Sequence, residues 1–107
     1  MFEIVDTGII GVDGSIHKHL KSDHGFVEFA ETDDKICAHT WWCSGEGRAF
    51  LKQLEDVADE KKKILEIPNV VNGALLKILK DNNYKKDCVP FAPDQGIMDL
   101  VDVWVRR

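Results

Sequence analysis

The sequence lacks the features that mark disulfide-stabilised, zinc-finger and membrane-spanning proteins. Its three cysteines, Cys37, Cys43 and Cys88, are odd in number and widely spaced, and no CxxC pair occurs. No apolar run approaches the ~18 residues that cross a bilayer, and no basic-then-apolar leader opens the chain. We therefore expect a cytoplasmic protein with reduced thiols, without a structural disulfide, a membrane span or a paired-cysteine zinc site.

Positive charge is also scarce. The chain carries 14 Lys and Arg against 19 Asp and Glu, a formal net charge of -5, and its longest basic block is Lys61–Lys63. Most of such a surface repels a polyphosphate backbone. Sequence-independent nucleic-acid binding is therefore disfavoured, whereas a local anion site is compatible with this charge.

The composition that is present indicates a folded single domain. The chain has 107 residues, of which 44% are hydrophobic and 31% charged, values close to those of globular proteins. A domain typically has roughly 100 to 150 residues, so this length suffices for one hydrophobic core and not for two. We expect residues 1–107 to form one domain.

The first half of the chain is predicted to contain three strands and one short helix. Phe2–Ile10 is apolar and β-branched enough for a strand, and Gly11–Gly14 has turn chemistry. Ser15–Lys21 is predicted as two turns of helix, with one apolar pair at i, i+4 and a serine as its cap. Phe26–Phe29 and Ile36–Trp42 flank a polar turn, which predicts an antiparallel hairpin.

The second half alternates helices with strands. Helical spacing of apolar residues predicts amphipathic helices over Gly47–Lys62 and about Val70–Asp81, with a short buried strand at Ile64–Ile67 between them. Tyr84 begins an extended return, and Leu100–Val105 is apolar on both faces, as in a strand inside a sheet. The predicted order is β-(α)-β-β-α-β-α-β-β, a mixed α/β (α+β) fold.

The segment from Trp42 to Ala49 passes from the end of a strand through two glycines into a helix. Gly45 and Gly47 let the backbone turn sharply and leave its amides open to a phosphate, which a Cβ would block. The start of the helix adds unpaired N–H donors and about half a positive charge, and Arg48 adds a charge-assisted contact. The pattern suits a pyrophosphate, although a tight turn without a ligand has the same sequence.

Beyond the loop, the sequence resembles the GNAT superfamily of N-acetyltransferases. The family's acetyl-CoA loop has the pattern Gln/Arg-x-x-Gly-x-Gly/Ala at the start of a long helix, and Trp42–Gly47 has both glycines in register. Arg48–Leu51 is similar to the Arg-Ala-Leu-Leu that often follows, and Leu65–Ile67 is similar to the family's fifth strand. Asn72–Tyr84 resembles the stretch from a helix-opening Asn to the next strand. The similarity covers about half the chain.

The resemblance implies acetyl-CoA, or another acyl-CoA, as the cofactor. It also implies a mostly antiparallel sheet with a central β-α-β-α unit, in which two parallel strands splay into a V and one strand edge holds the pantetheine arm. Those strands would be Ile36–Trp42 and Ile64–Ile67. The implied cofactor-binding residues are Trp41, Trp42, Cys43, Ser44, Gly45, Glu46, Gly47, Arg48 and Asn72.

Transfer to an amine requires a base that takes its proton. His39 is the first candidate and Glu28 the second. The tyrosine that many members use as the acid toward the departing thiolate falls at Leu79 here, and Tyr84 is the candidate that replaces it. Two other residues depart from the family pattern. Trp42 stands where the family opens its loop with a basic or amide residue, and Glu46 puts a negative charge beside the proposed phosphates.

Several residues with possible chemical roles also have a simpler structural interpretation. Cys43 is a candidate nucleophile at a helix start, but a buried thiol is the commoner case. The segment from His17 to His24 contains four metal-capable side chains, those of His17, His19, Asp23 and His24. Without a fixed fourth ligand, we expect a solvated polar segment there and no metal site.

Regular alternation along the predicted strand Ile36–Trp42 separates two sets of side chains. One face holds Cys37, His39 and Trp41, and the other holds Ala38, Thr40 and Trp42.

The sequence therefore predicts an acetyl-CoA-dependent N-acyltransferase whose acceptor is a small-molecule or protein amine. The chain has little room for the two N-terminal helices that usually build the acceptor pocket, as in trimmed phage-encoded members of the superfamily. We therefore expect either a large acceptor or a pocket completed in a homodimer. The alternative is a catalytically silent module that keeps this fold for CoA binding or for protein interaction, which the absent tyrosine and Glu46 favour.

Overall fold

The N-terminal half folds as a four-stranded antiparallel sheet. The computed structural model describes residues 2–43, 45–68, 70, 73–92 and 97–106. The first four strands are β1 (Glu3–Ile10), β2 (Ile16–Ser22), β3 (Gly25–Glu31) and β4 (Lys35–Cys43), and each pairs antiparallel with the next. The predicted first strand and the predicted hairpin are therefore confirmed.

The helix predicted for Ser15–Lys21 is wrong, because these residues belong to β2. Leu20 lies opposite Ile4 of β1 on one side and opposite Val27 of β3 on the other. Two sets of interstrand hydrogen bonds and the burial of Leu20 outweigh a single apolar i, i+4 pair, which stabilises only two turns of helix. The observed order is β-β-β-β-α-β-α-β-β.

The second half follows the predicted alternation closely. Its elements are α1 (Gly47–Lys61), β5 (Ile64–Pro68), α2 (Gly73–Asp81), β6 (Lys85–Ala92) and β7 (Ile97–Arg106). Both predicted helices, the short buried strand and the final strand are confirmed. No helix in the described part of the chain has the length and apolar character needed to cross a membrane.

All seven strands form one mixed sheet in the order β1-β2-β3-β4-β5-β7-β6, which confirms the α+β class. The pair β4 and β5 is parallel, and every other pair is antiparallel. Pairing between β4 and β5 covers only Lys35–Cys37 on one strand and Ile64–Glu66 on the other. From Ala38 onward, β4 therefore has no pairing with β5 among the described residues.

The core lies between the helices and one face of the sheet. Both helices contribute to a single cluster, since their apolar stripes meet alternate residues of the central strands. The cluster consists of Leu20, Val27, Phe29, Ile36, Ala38, Phe50, Leu51, Leu54, Ala58, Leu65, Ile67, Leu79 and Tyr84. Close packing here fixes the two helices against β4 and β5 and so positions the loop that joins β4 to α1.

Candidate functional site

The loop between β4 and α1 turns through a glycine that no other residue replaces easily. Gly45 has a φ of 74°, in the left-handed region, and a Cβ built on it would meet no atom within 4 Å. The conformation rather than crowding therefore explains the glycine. Open space at this point leaves the backbone accessible to a ligand.

Gly47 has a different role from Gly45. A Cβ at this position would lie 3.3 Å from Cδ1 of Ile78, so the glycine allows the start of α1 to approach α2 closely. The two helices and the end of β4 enclose a cleft with a volume of about 590 Å³, within the usual range for small-molecule sites. Its lining residues are Trp41, Gly45, Glu46, Gly47, Arg48, Ala49, Ala74, Leu75 and Ile78.

Five of the residues predicted to bind a cofactor are thus brought together in this cleft: Trp41, Gly45, Glu46, Gly47 and Arg48. Trp42 does not line it and its side chain is 72% exposed. Ser44, Asn72 and the side chain of Cys43 lie outside the described residues.

The start of α1 is open to an anion. Glu46 occupies the N-cap position with a φ of -122°, and no side chain of the described residues caps the helix. The first turn contains no acidic residue. Amide N–H groups of a first turn lack intrahelical acceptors and carry the positive end of the helix dipole, so they attract negative charge.

The charged side chains of the cleft have partners at its rim. Glu46 Oε1 lies 3.3 Å from Nε2 of His24, so a protonated His24 offsets its negative charge. Arg48 Nη2 donates to Asp81 Oδ2 at 3.3 Å, and hydrogen bonds from Lys77 and Arg48 lower the pKa of Asp81. Both Arg48 and Asp81 are exposed, so their contact is weak enough for an anionic ligand to compete for the guanidinium.

The two candidate bases lie together on the sheet face opposite the core. Ligand-capable atoms of Glu28 and His39 lie within 4.8 Å of one another and of His17. His19 Nε2 lies 3.4 Å from Glu28 Oε1, and Glu28 retains a side-chain exposure of 23%. A carboxylate and three imidazoles are therefore grouped where β2, β3 and β4 run side by side, with access from solvent.

A β-bulge in β4 leaves His39 and Thr40 on the same face of the sheet. Glu28 lies opposite Thr40 and Phe29 lies opposite Ala38, so His39 is the extra residue of β4. A bulge turns its extra side chain to the face of its neighbour, and His39 Nδ1 lies 2.9 Å from Thr40 Oγ1.

The face assignment from simple alternation is therefore wrong. Trp41 packs against the core beside Val27, and Ala38 is buried there too, whereas His39 lies with Glu28 on the opposite face. The alternation changes because a bulge adds one residue to β4 and shifts the side chains after it by one position.

Tyr84 is placed away from the cleft. Its side chain is 4% exposed and belongs to the core cluster, and its hydroxyl donates to Glu55 Oε2 at 2.8 Å. Burial, together with this hydrogen bond, raises the pKa of Tyr84. Leu79, which stands where the family has its tyrosine, is fully buried in the same cluster.

Sequence reasoning missed one member of the polar group. His17 was expected in a solvated segment with His19, Asp23 and His24, but it is buried at 5% exposure. Asp23 and His24 are exposed, as expected. The i, i+2 spacing of His17 and His19 places both side chains on one face of a strand, so it could have indicated this group. The segment is predicted as a helix, in which residues two apart do not share a face.

Comparison with known proteins assigns no relative: no family model, no curated protein and no solved structure matches the chain.

Proposed function

We propose that the chain is an acyl-CoA-dependent N-acyltransferase with a GNAT-like arrangement of its sheet, and that acetyl-CoA binds at the cleft. The observation that carries the proposal is the cleft itself, in which Trp41 and the Gly45–Arg48 loop meet at the start of α1, a helix end that none of the described side chains caps. The pyrophosphate would accept hydrogen bonds from the first amides of α1, and Arg48 would exchange Asp81 for a phosphate oxygen.

The pantetheine arm would lie along β4. Beyond Cys37, β4 has no pairing with β5 among the described residues, so the amides and carbonyls on that side of Trp41–Cys43 are available to bond an extended ligand. This partial separation of a parallel pair supports the splayed arrangement that the resemblance to the GNAT superfamily implies. It would let the arm pass from the cleft toward the opposite face of the sheet.

On that face, Glu28 or His39 would act as the base. A neutral amine attacks the thioester carbonyl, the new C–N bond forms, the C–S bond breaks and CoA leaves as the thiolate. The amine proton passes to the Glu28 carboxylate or to a His39 imidazole nitrogen, whose atoms lie within 4.8 Å of one another. The acceptor would be a small-molecule or protein amine, reached directly or in a pocket that a second copy of the chain completes.

A second candidate function is a catalytically silent CoA-binding module. Leu79 gives no proton to a thiolate, and Tyr84 has its hydroxyl committed to Glu55 inside the core. This alternative keeps the cleft as the cofactor site and removes only the chemistry. A mass-spectrometric search for acyl transfer to a panel of primary amines separates the two, because only the enzyme forms acylated product and free CoA.

The cofactor site is tested by the melting temperature with and without acetyl-CoA. A ligand at about 100 times its Kd stabilises the folded state by about 2.7 kcal/mol, which raises the melting temperature of a domain of this size by roughly 10 to 20 °C. We expect such a rise for the wild type and none for a Gly45→Asp, Gly47→Asp double variant, whose carboxylates repel the pyrophosphate.

Gly14→Asp is the matched control for this experiment. Gly14 has a φ of 83°, close to that of Gly45, and a Cβ there also meets no atom within 4 Å. It lies in the turn before β2, outside the cleft. Gly14→Asp therefore introduces a similar backbone strain. Its melting temperature should still rise with acetyl-CoA by as much as that of the wild type. An unchanged melting temperature of the wild type at millimolar acetyl-CoA would contradict the proposed site.

A further inference from the structure

Three neighbouring strands bring together a set of side chains that proteins use to bind transition metals. The Nδ1 or Nε2 atoms of His17 and His39 and a carboxylate oxygen of Glu28 all lie within 4.8 Å of one another. His17 comes from β2, Glu28 from β3 and His39 from β4, so each strand contributes one group. Side chains mounted on paired strands hold a more constant geometry than side chains on loops.

His17 is enclosed beside a second imidazole. The residue is 5% exposed, and its ring centroid lies 5.5 Å from that of His39. Two imidazoles so placed can direct one nitrogen each at a single metal ion.

The bulge in β4 is the second observation. Ala38 packs on the core face, so His39 beside it points to the face that holds His17 and Glu28. The extra residue brings Thr40 to the same face, with its Oγ1 2.9 Å from His39 Nδ1. Bulges interrupt the interstrand hydrogen bonds and are found where a side chain has to be re-aimed.

We propose that His17, Glu28 and His39 form a binding site for a divalent first-row transition ion, with zinc as the ion to test. Two imidazole nitrogens and one carboxylate oxygen are a frequent zinc ligand set, bonded at about 2.0 to 2.2 Å, with a fourth position for water. Ligand atoms in such a site are roughly 3.3 to 3.5 Å apart, so small side-chain rotations close the present spacing.

His19 has a supporting position in this site. Its Nε2 lies 3.4 Å from Glu28 Oε1, close enough to orient the carboxylate from outside the ligand set. Outer groups of this kind typically change metal affinity about 10- to 100-fold when removed. His19→Gln is therefore expected to weaken zinc binding, but less than the loss of His17 or His39.

This inference does not rest on the proposed function. A bound ion takes the lone pairs of Glu28 and His39 that would otherwise accept the amine proton, so the metal and the base role exclude one another at the same moment. Zinc is consequently expected to inhibit any acyl transfer at this face without displacing acetyl-CoA from the cleft.

The test is calorimetric titration of the metal-free full chain with zinc at pH 7.5. We expect one ion per chain, with affinity lowered at least 10-fold in His39→Gln and in Glu28→Gln. His24→Gln is the matched control, because it removes an exposed histidine that lies outside the group. Cobalt(II) in place of zinc should give the strong visible absorption of a tetrahedral site in the wild type and in His24→Gln.

Folding of each variant is checked by circular dichroism, and His39→Gln and Glu28→Gln decide the outcome if the buried His17→Gln does not fold. Zinc affinity equal to the wild type in both deciding variants, or no binding by the wild type at micromolar zinc, would overturn the proposal. The Gly45→Asp, Gly47→Asp variant is expected to bind zinc like the wild type. Failure of the metal site and failure of the CoA site are therefore seen separately.

Discussion

Tyr84 and Glu28 are both candidates for proton transfer, and their surroundings differ sharply. Tyr84 is enclosed in the core and donates to Glu55, which also lies 3.5 Å from Nε of Arg106. Glu28 is partly exposed and is grouped with histidines on the open face of the sheet. A group that exchanges protons with a substrate needs access, so the position of Glu28 fits this role better than that of Tyr84.

Tyr84→Phe should therefore affect stability and not ligand binding. The variant loses a hydrogen bond to a carboxylate, and Glu55 keeps Arg106 as a partner, so we expect a decrease of about 1 to 2 kcal/mol in the free energy of unfolding. Urea denaturation measures the decrease. In a Glu55→Gln background the same change should cost less, because the two residues are coupled.

The stabilisation by acetyl-CoA should be equal in Tyr84→Phe and in the wild type, since Tyr84 does not line the cleft. Loss of this stabilisation in a variant that folds normally would place Tyr84 in the cofactor site and contradict its structural role.

Both helices end in the same type of C-terminal cap. After α1, Lys62 has a φ of 57°, and the amide of Lys63 donates to the carbonyl of Ala58 at 2.8 Å. After α2, Asn83 has a φ of 64°, and the amide of Tyr84 donates to the carbonyl of Leu79 at 3.1 Å. This is the Schellman arrangement, in which the left-handed residue is usually Gly or Asn. Asn83 suits it, and Lys62 does not.

Lys62→Gly should consequently stabilise the protein. A left-handed conformation costs a residue with a Cβ about 1 to 2 kcal/mol, part of which glycine loses again through its greater freedom in the unfolded chain. We expect a net gain of about 0.5 to 1 kcal/mol in the free energy of unfolding, measured as a higher urea midpoint.

Lys62→Ala is the matched variant, because it removes the same charge and retains the Cβ. It should bring no gain. Equal stabilisation by glycine and alanine would mean that charge, and not backbone conformation, limits this cap.

One carboxylate connects distant parts of the fold. Glu31, at the end of β3, accepts hydrogen bonds from Lys18 of β2, from Lys61 at the end of α1 and from Lys63 just before β5. Burial alone would raise the pKa of Glu31, but the hydrogen bonds from the three lysines outweigh it and bring the pKa to about 2. The ionised form of Glu31 therefore joins β2, the end of α1 and the segment before β5, next to the start of the β4–β5 pairing.

The stability of the protein should accordingly fall in acid. The pKa of Glu31 is lower in the folded state than its ordinary value of 4.5, so its contribution is complete above about pH 4.5 and is lost as the pH falls toward 2. At about 1.4 kcal/mol for each pH unit between the two pKa values, the contribution is about 3 kcal/mol at neutral pH.

Glu31→Gln should therefore lower the free energy of unfolding by roughly 2 to 3 kcal/mol at pH 7 and flatten its dependence on pH between about 4.5 and 2. Thermal melts across this pH range provide the measurement. Glu60→Gln, which changes an exposed glutamate of α1, is the control and should leave the pH dependence as in the wild type. A Glu31→Gln protein with the wild-type pH profile would contradict the role of this network.

Local chemistry along the chain was sufficient to predict the second half of the fold. The apolar stripes of α1 and α2 and the short apolar run of β5 each depend on residues within a few positions of one another. The loop at Gly45 was predicted for the same reason, since the need for a positive φ is a property of the residue itself. Helical periodicity and turn chemistry are local, so they can be recognised without knowing which other segments pack against the element.

Contacts between segments far apart in the chain determined the rest of the fold and the grouping of the polar side chains. Ile16–Ser22 is a strand only because β1 and β3 flank it, and Trp41 reaches the core face only because β4 has one residue more than β3 at the bulge. The grouping of His17 with Glu28 and His39 depends on the pairing of β2 with β3 and of β3 with β4. Register and bulges are set by the pairing of strands that lie far apart in the chain, and no window of local sequence contains that pairing.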